Sequence, residues 1–213
     1  MISAVLWDFG GVLTSSPFEA FNKFETKQGL PENFLRKVNS TNSDSNAWAK
    51  FERSEITTDE FDALFFEESE RLGHPVGGND VIRLLAGHIR PRMVSALKRI
   101  SKDYKCVCLT NNVPAGHGPG MSRTEEMQKA VIEVMGLFDQ VIESSKIGMR
   151  KPDPKIYEFT CQEMDVEPNE VLYLDDLGVN LKPAALMGMQ TIKVVTEEQA
   201  LNDLGSALGQ SFL

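Results

Sequence analysis

Apolar residues along the chain follow two rhythms. Short, near-continuous apolar runs rich in β-branched residues and closed by polar ones occupy residues 2–7, 105–109, 140–143, 170–174 and 191–195. Their length and composition predict strands, and their unbroken apolarity predicts burial on both faces. Between them, residues 91–101, 123–135, 154–164 and 180–187 are long enough for helices. This alternation predicts an α/β fold with a Rossmann-like parallel sheet core and helices on both faces.

The stretch between the first two strands is far too long for one crossover helix, and it is rich in Phe, Glu, Asn and Ser at helical spacing. Ser16-Pro17-Phe18-Glu19 offers an N-cap Ser, a Pro at the first helical position and a Glu placed to close a capping box. Phe18, Phe21 and Phe24 then fall near one face. Thr57-Thr58-Asp59-Glu60 repeats the pattern ahead of Phe61, Leu64 and Phe65. A polar break at 39–46 and a Gly/Pro/His connection at 73–79 separate the helices. The reading is an inserted α-helical cap over residues 15–88, with the core formed by 1–14 and 89–213. Trp48, Phe51, Phe65 and Phe66 are expected in the cap's own core, and the charged run 52–55 on a solvated face. Ser15, Ser16 and Gly87, at the two crossings, suit hinges of a cap that closes over the site.

Charge narrows the partners. Lys plus Arg number 22 against 31 Asp plus Glu, a formal net charge of −9. With no basic cluster to break that pattern, nucleic acid and membrane surfaces are disfavoured and a small molecule is the expected partner. Cys106, Cys108 and Cys161 are too few for a disulfide framework, and Cys106-x-Cys108 lacks a second ligand pair at zinc spacing. The N-terminal apolar stretch lacks basic residues and meets Asp8 early, unlike a signal peptide or spanning helix. A cytoplasmic monomer or homodimer is expected.

Candidate chemistry lies at the strand ends. Asp8 follows the first strand, Thr110-Asn111 the second, Ser144-Ser145 the third and Asp175-Asp176 the fourth. A lone Asp after a strand is usually a turn former or helix cap. In an open parallel sheet, however, carboxyl ends share the rim where ligands bind, so these positions converge on one crevice. Asp8, Asp175 and Asp176 together would repel one another by several kcal/mol unless a cation compensates. Oxygen-only ligands favour Mg²⁺, completed by water and substrate phosphate oxygens, with Thr110, Asn111 and Lys151 placed to hold the remaining phosphate charge.

The segments Trp7-Asp8-Phe9-Gly10-Gly11-Val12-Leu13, Leu109-Thr110-Asn111, Gly148-Met149-Arg150-Lys151-Pro152-Asp153-Pro154 and Leu174-Asp175-Asp176 resemble, in order and spacing, the four motifs of the haloacid dehalogenase-like (HAD) superfamily. The similarity spans nearly the whole chain. Residues 142–157 and 174–184 look especially like capped phosphatases of the kind that form the N-terminal domain of soluble epoxide hydrolases. The resemblance implies that Asp8 is a nucleophile forming an aspartyl-phosphate. It further implies that Lys151 neutralises Asp8 and the phosphoryl group, and that Thr110 and Asn111 bind phosphate. Asp8, the Gly10 carbonyl and Asp176 become metal ligands, with Asp175 and Asn180 acting through water or from behind. Asn180 also reads as a helix N-cap before Leu181.

One position departs from that pattern. Phosphatases of the superfamily usually carry an acid/base Asp two residues after the nucleophile, where this chain has Gly10. Loss of the proton shuttle costs roughly 10² to 10⁴-fold where protonation matters, so good leaving groups are expected among the substrates. His117, in the loop 113–122, is a weak candidate replacement. The resulting expectation is Mg²⁺-dependent hydrolysis of a small phosphorylated metabolite. The competing readings are a non-catalytic phosphate or metabolite sensor and a 2-haloacid dehalogenase, the latter needing no metal.

Overall fold

The computed structural model describes residues 1–115, 120–122 and 124–212. His117, and Arg123 at the start of one expected helix, lie outside them. Five strands, β1 (Ala4–Trp7), β2 (Lys105–Thr110), β3 (Gln140–Glu143), β4 (Val171–Asp175) and β5 (Gln190–Lys193), form one sheet in the order β3-β2-β1-β4-β5. Every pairing is parallel. Alternate residues of a strand face opposite layers. Val5 and Trp7 pack with α6 (Pro91–Ile100), α7 (Glu125–Met135) and α11 (Glu197–Leu208) on one side. Ala4 and Leu6 pack with α9 (Pro154–Met164) and α10 (Gly178–Leu186) on the other. Both strand faces are therefore covered, which explains the unbroken apolar runs. Cys106, Cys108 and Cys161 are free and buried within these layers. Among the described residues, no helix is long and apolar enough to cross a membrane.

The inserted segment folds as α1 (Pro17–Gln28), α2 (Phe34–Ser40), α3 (Ala47–Glu52), α4 (Thr58–Arg71) and α5 (Gly78–Ile82). Phe21, Phe34, Phe51, Phe61 and Phe65 gather in its core, joined by Val113 from the loop after β2. Glu25 accepts from the backbone N–H groups of Asn33 and Leu35, both at 2.9 Å, and so fixes the α1–α2 turn. Thr57 and Glu60 close the expected capping box. Ser16 caps α1 through Phe18 N at 3.4 Å but forms no box with Glu19, whose N–H donates to the Ser16 carbonyl at 3.3 Å, while the Ser16 hydroxyl donates to Asp176. Two further expectations are corrected. Phe66 is 43% exposed, on the outer side of α4. Asn180 is not an N-cap but the third residue of α10, whose cap position is Leu177.

The two crossings between cap and core run side by side. Thr14 and Ile89 form an antiparallel bridge, Ser15 N–H donates to His88 O at 2.7 Å and Arg90 N–H to Leu13 O at 2.8 Å. A Cβ at residue 87 would stand 2.6 Å from the Ser15 carbonyl oxygen, so this approach requires glycine there.

Candidate active site

Asp8 is the first residue beyond β1, and its N–H still donates to Leu174 O at 2.9 Å, so the sheet itself holds its backbone. The Asp8 Oδ1 atom accepts from Phe9 N–H at 2.7 Å and lies 2.9 Å from Lys151 Nζ. Lys151, only 1% exposed, also donates to Asp175 Oδ2 at 2.8 Å and to the Leu109 carbonyl at 3.0 Å. Three acceptors thus fix an ammonium directly behind Asp8. Burial opposes its charge, yet Asp175 and Asp8 more than offset this and push its pKa up, so Lys151 stays protonated.

The two neighbouring aspartates divide their roles. Asp175 is wholly buried and receives Lys151, the Tyr173 hydroxyl, Leu177 N–H at 2.7 Å and Asn180 Nδ2 at 3.1 Å. Asp176 lines the cavity above and accepts from the Ser16 hydroxyl at 3.4 Å. It stands where a Cβ on residue 11 would lie 2.2 Å from its Oδ2, and Gly11, at φ +76°, leaves that space free.

Asp8, Asp175 and Asp176 each offer an oxygen within 4.8 Å of the others. Burial, then the neighbouring carboxylates, push the Asp8 pKa well above its usual range, although Lys151 pulls the other way. Burial and then Asp175 push Asp176 up to about 6. Three carboxylates against one ammonium leave negative charge uncompensated. An all-oxygen donor set of this kind fits a hard divalent cation such as Mg²⁺. Gly10 lines the same cavity, and a Cβ there would meet nothing within 4 Å.

Thr110, the last residue of β2, lines the cavity beside Asp8. Asn111 lines the cavity too, and its carboxamide bonds to the Lys151 backbone: Oδ1 accepts from Lys151 N–H and Nδ2 donates to Lys151 O, both at 2.9 Å. It therefore clasps the segment that carries Lys151. Ser144 and Ser145, which open α8 (Ser144–Ile147), bond to Asn112 and fix the loop after β2.

Sequence reasoning missed a cap contribution. Glu52, expected on a solvated face, is 6% exposed and reaches across to the core. Its carboxylate accepts from Arg150 Nε at 2.5 Å, Asn111 Nδ2 at 3.3 Å and, within α3, Trp48 Nε1 at 2.9 Å. The Trp48–Glu52 spacing of four was the available signal, since it puts both on one helix face. Trp48 lines the cavity as well as packing against the cap core.

The cavity between cap and core measures about 700 Å³. Asp8, Gly10, Thr110, Lys151 and Asp176 share it with apolar groups including Phe18, Phe21, Leu85, Met127 and Val131.

A profile of haloacid dehalogenase-like hydrolases matches residues 2–188. The chain is 34% identical over 216 residues to Acyl-CoA dehydrogenase family member 10 of Mus musculus, covering 97% of this chain and 19% of that protein. It is 30% identical over 224 residues to Bifunctional epoxide hydrolase 2 of Sus scrofa, covering 100% of this chain and 40% of that one. It thus spans less than half the length of these two relatives. Sesquiterpene phosphatase astK of Aspergillus oryzae is 30% identical over 192 residues, 87% of this chain and 86% of the phosphatase. A HAD family enzyme of Bacteroides thetaiotaomicron, solved with magnesium and inorganic phosphate, shares the fold with a TM-score of 0.59 at 20% identity, over 91% of this chain and 94% of that one. The strand-end aspartates, the buried lysine and the family match agree, and the chain belongs to the haloacid dehalogenase-like hydrolases.

Proposed function

We propose that the protein is a Mg²⁺-dependent phosphatase acting on a small phosphorylated metabolite, a monoester with a largely apolar body, through an aspartyl-phosphate on Asp8. The observation that carries this reading is the Lys151 ammonium held 2.9 Å from Asp8 at the floor of an open cavity. Such a pair favours the ionised form of the carboxylate against burial and meets charge gathering on phosphoryl oxygens. The mostly apolar walls suit a hydrocarbon body, and one similar protein is named a sesquiterpene phosphatase.

Asp8, Asp176 and the Gly10 carbonyl would hold Mg²⁺, with Asp175 and Asn180 supporting from behind through the bonds they already make. The bound ion would supply charge stabilisation for the transferring phosphoryl group. An Asp8 oxygen attacks phosphorus, and the ester P–O bond breaks with its electron pair leaving on the alcohol oxygen. Thr110 lines the site of transfer, and the Asn111 clasp keeps Lys151 in place. Water then attacks phosphorus, the Asp8–phosphate bond breaks, and carboxylate and inorganic phosphate are released. With glycine at position 10, both proton transfers fall to water.

Phosphate release from an aryl phosphate is expected to vanish in Asp8→Asn and on EDTA treatment, returning with Mg²⁺. Turnover surviving in Asp8→Asn would overturn the nucleophile assignment. Phosphate binding without turnover would favour a sensor, and EDTA-resistant chloride release from 2-chloropropionate a dehalogenase.

A further inference from the structure

Three Lys or Arg side chains line the cavity among the described residues: Arg36, Arg150 and Lys151. Lys151 is taken by Asp8 and Asp175, and Arg150 by Glu52. Arg36, on α2 of the cap, differs from both. Its guanidinium makes no hydrogen bond or ion pair among the described residues, and its Nε is buried without a partner. It is held instead over the Phe18 ring, 4.0 Å from the centroid. One turn along the same helix, Asn39 also lines the cavity and has a buried, unpartnered Oδ1.

A cation in a mostly apolar wall is costly unless something pairs with it, and stacking on one ring recovers only part of that cost. Arg36 and Asn39, three residues apart, project from one face of α2. Contact with the ring restrains the guanidinium, whose planar fork matches a carboxylate. The Asn39 carboxamide can present its NH₂ to the same group after a half-turn.

We propose that Arg36, supported by Asn39, is a carboxylate-binding subsite of the cap, and that the natural ligand carries a carboxylate on its apolar body, apart from the phosphate. This rests on the phosphatase reading only in calling that ligand a substrate. The subsite itself requires no phosphoryl chemistry.

The test compares ω-carboxyalkyl phosphates of six to twelve carbons with their methyl esters, in the native protein and in Arg36→Met. Methionine keeps the stem over Phe18 and removes the charge. Using the ratio of kcat/KM for acid over ester within each protein cancels any general loss of activity. The native ratio is expected to reach about tenfold or more for the chain length that fits, carried by KM, as for a charge-assisted hydrogen bond. In Arg36→Met it should fall close to one. Calorimetry with decanoate against decanamide supplies a readout without hydrolysis: tighter binding of the acid, lost in Arg36→Met, is expected.

A native acid-to-ester ratio near one overturns the proposal, as does a ratio that survives in Arg36→Met. Equal binding of decanoate and decanamide by the native protein overturns it as well, whether or not the variant folds. If no phosphate is released from any substrate while Arg36-dependent decanoate binding persists, the phosphatase reading fails and the subsite stands.

Discussion

At Gly10 the backbone carries no side chain, and open space stands where a Cβ would project. A carboxylate can therefore be added without displacing anything within 4 Å of that first atom. If the proposed reaction lacks a protein general acid, log kcat/KM is expected to fall steeply as the leaving-group pKa rises. Gly10→Asp should flatten that line, speeding alkyl phosphates by up to about 10²-fold and aryl phosphates little. A shallow native slope would show that another group already supplies the proton. Single residues of this kind were the most legible part of the sequence. Asp8, Thr110, Asp175 and Asp176 could be placed because each closes a strand run, and closing residues of parallel strands share a rim. Arg36 gave no such signal: an Arg on a polar-looking helix is ordinary until its lack of a partner is visible.

At the scale of elements, the strands and the core helices α6, α7, α9 and α10 were readable within a residue or two, since burial on two faces and capping chemistry both leave local marks, whereas α11 (Glu197–Leu208) was not. Thr57 and Glu60 illustrate a cap fixed by neighbours in sequence. Ser16 illustrates the limit, its hydroxyl drawn to a partner 160 residues away. The α3–core contact escaped for the same reason: Glu52 meets Asn111 and Arg150 across 59 and 98 residues. Around it, Arg150 Nη1 donates to Ser43 O at 3.0 Å and Ser54 Oγ to Ser145 O at 2.7 Å, so α3 and its flanks fasten the cap to the catalytic loops. Glu52→Ala should weaken that fastening by about 1–3 kcal/mol, since it removes the carboxylate that Arg150 Nε and Asn111 Nδ2 share and leaves Arg150 only its bond to Ser43 O among the described residues. Faster amide exchange over residues 43–55, with exchange in β1 and β4 unchanged, is the expected pattern. Unaltered exchange across 43–55 would mean that the other bonds suffice.

On the scale of the whole molecule, the strand order sets β1 between β2 and β4, so the ends carrying Asp8, Thr110 and Asp175 are neighbours. The core's alternation made a parallel sheet predictable, but the cavity between cap and core depends on how two folded layers meet, which no local pattern encodes. The acidic cluster at that meeting also sets how long the protein lasts. Asp176, at about 6 in the folded metal-free protein against 3.8 unexposed to that environment, keeps a proton the unfolded chain has already released. Stability of the metal-free protein should therefore fall as pH rises from about 4 to about 6, through this group. Asp176→Asn removes the penalty, so its melting temperature minus that of the native protein should climb across the same window, and added Mg²⁺ should erase the difference. A gap that is flat with pH would contradict the assignment. The same logic makes inactivity durable: metal-free Asp8→Asn, incapable of turnover, is expected to outlast the working protein in heat, because the fold endures its own reactive centre rather than resting on it.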